Sequence, residues 1–582
     1  MKKFFLYAAA AVLSLSFAAC SSDDDLSSGG GKTITADQVS SYAKLAVAMP
    51  KAGVGSRGFT DGGFQFGTAG ENKISDIKLV LYSEDGLVVG TGVPVSDYKQ
   101  DTPNGSNTNI ALEEDVVFHL TLEEGAPEPA KVVAFVNLFN GEDEVPAPYD
   151  KATLDQLSAG DLKLDKFIDP TNGFAMTNSG YYKGDDYVFA ADLDANNMFS
   201  NQAAATGAEK AATIYVERVA AKVQIIAADD LGSDSKSTVT GFNITDISCN
   251  KVTLQYDIDN LKWGATGLAK SAYTIKKQFD DAKENLSTDW DNFNSASNFR
   301  SYWAEGVNYT TPYNGGYLDA ETNEVGDDNP LTYITIKNVT KNASDTAYVA
   351  EQTYDYAEAA KGNLFNPVIP STSVIVISEY KVKGSSYNFE DGFYLLYTGP
   401  QTFTIYTKSQ LAGYLLSRNG IAEVTVNDGS DTYKTDEENA NFKFTDYVTV
   451  KADADGKYYI SEISNLKANG EALDASSLTK TTNARYYSEA KSYFYVPIEH
   501  NGKYDDEVEA EGTYGVVRNH SYVLTINKIT GLGAPLDGDE SGENDPENPK
   551  PIVPDPDDLT DAYINASLNV LGWHGVTQDV NL

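Results

Sequence analysis

The C-terminal end of the chain limits the possible folds more than any other stretch. Over residues 563–570 Ile564, Ala566, Leu568 and Val570 alternate with Tyr563 and polar residues, and Val576, Val580 and Leu582 keep the same alternation after Gly575. A period of two predicts strands with one buried face. Because a strand with unpaired edges is unstable in water, this tail has to complete a sheet that is formed elsewhere.

The segment before the tail, residues 535–560, is typical of a linker. Its 26 residues include six prolines and nine acidic residues, and it offers almost nothing to bury. Such a segment is extended and self-repelling, with a reach of up to ~80 Å. The tail can therefore return to its own chain or reach a neighbour, and the sequence leaves both possibilities open.

The composition predicts an all-β protein. The chain has 582 residues with 47 Gly and 37 Tyr, and apolar runs recur between Gly, Pro, Asn and Asp turns. We expect two tandem antiparallel β-sandwich domains with a few short helices. The predicted domains are residues 58–259 and 260–534, followed by the linker at 535–560 and the strand-forming tail at 561–582.

Local patterns in the middle of the chain predict two strands and one helix. Residues 213–226 are predicted to form one strand, and residues 333–339 another. A short helix is predicted over residues 408–417, opened by Ser409.

The N-terminus predicts export and a lipid anchor. Lys2 and Lys3 precede an apolar run that ends in Ala18-Ala19-Cys20. This predicts a signal peptide over residues 1–19, because the run is too short for a membrane span. The ending resembles a bacterial lipobox, which would make Cys20 the lipidated first residue. An ordinary signal peptide cut after Ala19, with a free Cys20, is the alternative.

A second one-faced strand follows in the segment 20–57. Leu45, Val47 and Met49 alternate with Lys or Ala, and the pattern ends at Pro50. Beyond it, Arg57 and Gly58 lie in a Gly-rich stretch of the kind that proteases cut. On the residues alone, an ordinary loop arginine is the other reading of Arg57.

Charge and motif content exclude several function classes. A formal net charge of −41 opposes binding to nucleic acid. No catalytic motif is present, and His119, His500, His520 and His574 are scattered without metal-ligand spacing. We therefore expect no enzyme activity, no cofactor and no metal. Cys249 is expected to be a small buried residue. Asp537-x-Asp539 begins like a calcium loop, but it lacks the closing Glu.

Several stretches together resemble the fimbrillin family of Bacteroidota type V pili, and within it the major subunit of the short fimbriae. They are KVVAFVNLF at 131–139, YVERVAAKVQI at 215–225, LKWG at 261–264, YGVVRNHSYVLTINKITGLG at 514–533 and NVLGWHGVTQDVNL at 569–582. The resemblance spans nearly the whole chain in order, and is weak over residues 265–330.

The resemblance implies sandwich domains of the transthyretin-like kind and a mechanism of assembly. Residues 20–57 would be a lipidated propeptide on the outer membrane, with Leu45, Val47 and Met49 in a placeholder strand. An Arg-specific protease would cut between Arg57 and Gly58, and a donor strand from residues 561–582 of another copy would fill the vacated groove. The resulting surface fimbria would include anchor and tip subunits and adhere to host or bacterial surfaces.

Two further readings remain at the level of the sequence. One is a monomeric, surface-exposed lipoprotein that binds glycans, in which tyrosines would replace tryptophans as stacking groups. The other is a secreted hydrolase, which would need clustered carboxylates in a cleft.

Overall fold

A computed structural model describes most of the chain. The described residues are 32–50, 68–95, 110–138, 149–164, 168, 171, 173–183, 186–278, 304–309, 331–353, 372–383, 392–427, 429, 431–437, 439, 441–453, 456–498, 500, 515–536, 565–572 and 574–581. The fold is all-β with a few short helices. None of the helices in these residues has the length and apolar content needed to cross a bilayer.

The strands up to residue 218 are β1 (Ser40–Pro50), β2 (Ile77–Tyr82), β3 (Val88–Pro94), β4 (Ile110–Leu122), β5 (Lys131–Val136), β6 (Lys163–Leu164), β7 (Met176–Asn178), β8 (Tyr181–Lys183), β9 (Asp186–Val188), β10 (Ala191–Asp192), β11 (Met198–Phe199) and β12 (Ala212–Arg218). The next strands are β13 (Ala220–Ala227), β14 (Asn243–Thr245), β15 (Lys251–Val252), β16 (Leu254–Thr266), β17 (Leu268–Ala269), β18 (Ala272–Tyr273), β19 (Lys277–Gln278), β20 (Ala304–Glu305), β21 (Leu331–Thr332), β22 (Thr346–Ala350), β23 (Gln352–Thr353), β24 (Ser373–Val382), β25 (Phe393–Gly399) and β26 (Thr402–Tyr406). The last strands are β27 (Glu423–Val426), β28 (Thr432–Lys434), β29 (Val448–Ala452), β30 (Lys457–Ile463), β31 (Leu466–Ala468), β32 (Glu471–Ala472), β33 (Thr482–Asn483), β34 (Arg485–Tyr487), β35 (Lys491–Pro497), β36 (Gly515–Val516), β37 (His520–Lys528), β38 (Ala534–Pro535), β39 (Asn565–Gly572) and β40 (His574–Asn581).

The α-helices are α1 (Leu154–Ala159), α2 (Gln202–Gly207), α3 (Asp234–Ser237) and α4 (Lys408–Arg418). Both α1 and α4 begin with a capping box, in which a threonine and a glutamine three residues later exchange hydrogen bonds with each other's backbone. The cap of α4 is Thr407, and the prediction that Ser409 opens this helix is wrong. Ser409 Oγ instead accepts a hydrogen bond of 2.7 Å from the Phe444 N–H.

The first half of the chain forms a sheet that closes on itself. Its strands follow one another as β5, β2, β3, β4, β1, β12 and β7, and β7 pairs back to β5. We call this closed arrangement the ring. Inward-facing side chains of every ring strand form one hydrophobic core, which includes Leu79, Phe118, Val132 and Ile214. Strand β1 is thus one of the walls of this core.

The second half is built from layered sheets. One sheet has the order β22, β13, β37, β40, β39, a second has β16, β24, β35, β38, and a third has β15, β14, β26, β25, β34. Apolar residues of all three sheets, among them Ile225, Trp263 and Phe393, share one core. The three sheets thus pack around a common apolar interior.

A further core forms around α4 within residues 394–486. Leu411, Leu415 and Leu416 of this helix pack against strands β27, β29, β30 and β31 through Val424, Val450 and other apolar residues. This unit lies inside the predicted second domain, residues 260–534, and was not predicted as a separate core.

The strand pairing changes at Val219. The run 213–226, predicted as one strand, is two strands, and β12 belongs to the ring whereas β13 pairs with β22 and β37 of the second half. Strand pairing therefore changes well before the predicted boundary at residue 260. The predicted strand at 333–339 is also wrong, because residues 336–338 form a 3-10 helix.

Candidate functional site

Strand β1 lies in the interior of the ring, between β4 and β12. It pairs antiparallel with β4 from Ser40 opposite Thr121 to Pro50 opposite Ile110. On its other side it pairs parallel with β12, with Leu45 opposite Ala212. Both of its edges are hydrogen-bonded, so its removal would leave two unpaired strand edges facing each other across a gap.

One face of β1 is part of the ring core. Ala43, Leu45 and Val47 are fully or almost fully buried and contact the core residues of the neighbouring strands. Burial of a leucine or valine side chain contributes roughly 1.5–3 kcal/mol relative to exposure. The core therefore depends on this strand for part of its stability. Met49 is also in β1, but its side chain lies outside the described part of the structure.

The other face of β1 is partly polar. Lys44 forms an ion pair of 3.8 Å with Asp115, which also pairs with Lys210 at 3.6 Å. The rings of Tyr42 and His119 lie 5.0 Å apart between centroids. Ala46 is fully buried on this face, where helix α2 packs against the strand.

The segment that follows the predicted cleavage site is fixed to the fold by an ion pair and several hydrogen bonds. The segment Thr68–Asn72 lies where β12 ends and β13 begins, and the carboxylate of Glu71 is buried there. Glu71 Oε1 accepts from Lys222 Nζ at 2.8 Å and from the Tyr348 hydroxyl at 2.6 Å, and Oε2 accepts from Thr68 N at 2.7 Å. We call this the Glu71 anchor.

Arg218 completes the Glu71 anchor. Its guanidinium is fully buried and donates to the Glu71 carbonyl at 2.8 Å, to Asn519 Oδ1 at 3.1 Å, and to Asn72 Oδ1. Burial lowers the pKa of Arg218 to about 10, against the opposing charge of Glu71. Burial alone would raise the pKa of Glu71, but the hydrogen bonds from Lys222 and Tyr348 outweigh it and the pKa is lowered. The anchor joins the segment after Arg57 to both halves of the chain.

The tail joins the second half of its own chain. Strand β40 pairs parallel with β37, with His520 opposite His574 and Ile526 opposite Val580, and β39 pairs antiparallel with β40. The predicted donor residues Ala566, Leu568 and Val570 are in β39, and Val576 and Val580 are in β40. Ile564 and Leu582 lie outside the described residues. The tail and β1 are thus in different sheets.

Several residues with a role predicted from the sequence lie outside β1 and the tail strands. Cys20, Arg57, Gly58 and the calcium-like start at Asp537 lie outside the described residues. Cys249 is exposed in a turn with a φ of 64°, so the expectation of a buried cysteine is wrong.

The histidines are less scattered than their sequence positions imply. His500 and His520 are both buried with ring centroids 5.1 Å apart, and His574 is opposite His520 in the sheet. His520 Nδ1 lies 2.7 Å from the Arg518 carbonyl, and His500 Nδ1 lies 2.8 Å from the Tyr522 hydroxyl. Among the described residues, no group of three His, Cys, Asp or Glu side chains is placed to hold a metal ion.

The Glu71 anchor has almost no signature in the sequence. Its partners are distant in sequence, and only one signal was available, since Arg218 is one of six arginines and stands inside an apolar strand. A charged residue in such a run is rarely fully buried without a partner.

Comparison with known proteins gives one family match. Residues 485–579 match the family described as "Major fimbrial subunit protein type IV, Fimbrillin, C-terminal". No curated protein matches the chain.

Solved structures are similar only at a low level. A fimbrial assembly protein from Parabacteroides distasonis is 12% identical with a TM-score of 0.28, and the match covers 59% of this chain and 85% of that one. The tip fimbrial protein Mfa3 from Porphyromonas gingivalis, with a C-terminal truncation, is 12% identical with a TM-score of 0.25, over 59% of this chain and 80% of that one.

The matched region begins at β34 and includes β35, β37, β39 and most of β40, which are strands of the second core and of the tail. Over this C-terminal region, the chain is similar to the fimbrillin family.

Proposed function

We propose that this chain is a structural subunit that polymerises into a surface fimbria by exchange of β-strands, as a major subunit of the short type. The observation that carries the proposal is the interior position of β1, which is contributed by the segment before Arg57. A protease cut at Arg57 separates this strand covalently from the rest of the ring.

Removal of β1 would destabilise the ring and leave a site that favours binding of another strand. The ladder hydrogen bonds to β4 and β12 contribute about 1 kcal/mol each. Leu45 and Val47 add roughly 1.5–3 kcal/mol each by burial. A cut ring without β1 would expose both an apolar wall and two strand edges, which are the groups that bind an added strand.

The tail of another copy is the proposed replacement. It carries an alternating apolar row, and the linker at 535–560 gives it enough reach to leave its own subunit. In this proposal the pairing of β40 with β37 holds the tail on its own chain before assembly. Removal of β1 in one copy then allows the tail of the next copy to enter.

The Glu71 anchor supports the order of these events. Arg57 stands between β1, which is to leave, and Thr68–Asn72, which is held at the junction of the two halves. The new N-terminus would therefore remain attached to the folded subunit after the cut. Loss of residues 20–57 would also release the lipid on Cys20, so that the precursor is anchored to the outer membrane and the mature subunit is free to polymerise.

The proposed partners follow from this assembly. They are other copies of the chain, accessory anchor and tip subunits, an Arg-specific protease, and ligands on host or bacterial surfaces. The net charge of −41 opposes nucleic acid as a ligand.

The proposal is tested by the substitution Arg57→Lys, which keeps the charge but removes the site of an Arg-specific protease. Purified precursor treated with such a protease is expected to begin at Gly58 and to form fibres visible by electron microscopy. Arg57→Lys is expected to remain uncut there and to form none. Arg418→Lys, at an exposed position at the end of α4, is the matched control. Fibres of Arg57→Lys, or fibres that begin at a lipidated Cys20, would contradict the proposal.

A further inference from the structure

The position of β1 in the ring restricts the size of the inward-facing side chains of any strand that could replace it. Its three inward positions are held in order by Ala43, Leu45 and Val47, and all three contact the ring core. The first position therefore takes a small side chain, and the next two take larger ones. Leu45 is 0% exposed and Val47 is 1% exposed, which leaves no room for larger groups.

Strand β39 repeats this order of sizes. Ala566, Leu568 and Val570 have the same identities and the same spacing as Ala43, Leu45 and Val47. The pattern Ala-x-Leu-x-Val occurs only at these two places in the sequence. On the opposite face, Ser567 corresponds to Lys44. Asn569 corresponds to the buried Ala46, so helix α2 has to accommodate a larger, polar side chain there.

Other alignments of the tail fit less well. A shift by one residue turns the polar row towards the core. A shift by two places either Leu568 in the site of Ala43, which overpacks it, or Ala566 in the site of Leu45, which leaves a cavity. Strand β40 has Gln578 between Val576 and Val580, so it cannot supply three consecutive apolar residues on one face.

We infer that β39, and not β40, enters the vacated site of a second copy, with Ala566, Leu568 and Val570 in the places of Ala43, Leu45 and Val47. This inference rests on the proposed function. The incoming strand runs antiparallel to β4 and parallel to β12, as β1 does. Ser567 of one copy then lies opposite Val117 of the other, because Lys44 is opposite Val117 in the ring.

The pair at Lys44 and Val117 is suited to disulfide cross-linking. The Lys44 carbonyl accepts from the Ala211 N–H at 2.7 Å, so it points towards β12 and away from β4. Lys44 and Val117 are therefore a non-hydrogen-bonded antiparallel pair, in which Cα atoms are about 4.5 Å apart. Disulfides form at Cα separations of this size.

The test uses full-length chains in which Cys20 and Cys249 are replaced by serine. Ser567→Cys with Val117→Cys is expected to give a ladder of covalent oligomers from oxidised fibres, and none from the uncut precursor. Asn569→Cys with Val117→Cys is the matched register control. Two residues separate positions by about 7 Å along a strand, so about tenfold less ladder is expected from it. Lys44→Cys with Val117→Cys in the uncut precursor shows that the pair can form a disulfide.

The results of these cross-linking experiments distinguish failure of the inferred register from failure of the proposed function. A stronger ladder from Asn569→Cys, or a ladder from Thr577→Cys with Val117→Cys, overturns the register or the choice of strand while the exchange itself stands. Fibres that give no ladder in any of these variants also overturn the inference. Absence of fibres from the cut, cysteine-free parent overturns the proposed function and the inference together.

Discussion

The substitution Leu45→Ala separates the stability of the precursor from that of the fibre. Leu45 is completely buried in the ring core, and removal of a leucine side chain from such a site costs about 2–5 kcal/mol. Since about 1.4 kcal/mol is a factor of ten, the folding equilibrium of the ring is expected to fall by at least about 30-fold. The unfolding free energy of the uncut precursor, measured by urea denaturation with circular dichroism, should show this loss.

The cut and assembled fibre is expected to behave differently. If β1 has left, Leu45→Ala has no effect on the temperature at which fibres dissociate, whereas Leu568→Ala lowers it because Leu568 then occupies the same site. Ser40→Ala, at an exposed position of β1, is the control. It removes only an exposed hydrogen bond of 2.9 Å between Ser40 Oγ and His119 Nε2, so it should change the unfolding free energy of the precursor by little. If Leu45→Ala weakened fibres as much as the precursor, β1 would still be in place and the reasoning would be refuted.

Three more predictions concern the ring, the anchor and the tail. A disulfide between Lys44→Cys and Val117→Cys should hold β1 in the cut ring, so that electron microscopy finds fibres only after a reductant is added. Glu71→Gln should lower the unfolding free energy by about 3–5 kcal/mol at pH 7, because it breaks a buried ion pair. The pKa of Glu71 is lowered in the folded chain, so its stabilisation is present above its ordinary pKa of 4.5 and is lost as the pH falls through the folded value. The difference between Glu71→Gln and the parent should therefore shrink in urea titrations at acid pH, and a constant difference would contradict this origin. Leu568→Asp should leave cleavage after Arg57 intact but prevent fibres, and normal fibres would argue against the tail as donor.

Local patterns predicted the strands at the two ends of the chain. The alternation of Leu45 and Val47 correctly indicated a strand with a buried face, whereas the run 213–226 is divided into two strands and residues 336–338 form a 3-10 helix. The alternation depends on neighbours two residues apart, which a sequence displays directly.

Features that depend on distant partners were not predictable in the same way. Arg218 and Ala220 stand on either side of Val219 in one apolar run, yet their strands pair in different sheets, and nothing local indicates this change. Glu71 resembles a surface residue until Lys222, Arg218 and Tyr348 meet around it. The pairing of β7 with both β12 and β5, which closes the ring, is likewise invisible in the strand patterns.

The central claim is that the strand between β4 and β12 is exchanged, and electron cryo-microscopy of assembled fibres tests it most directly. The expected density between β4 and β12 is the tail of a second copy, continuous with that copy's linker, with residues 40–50 absent. Density for residues 40–50 in that position, with the tail still paired to β37 of its own chain, would contradict the claim.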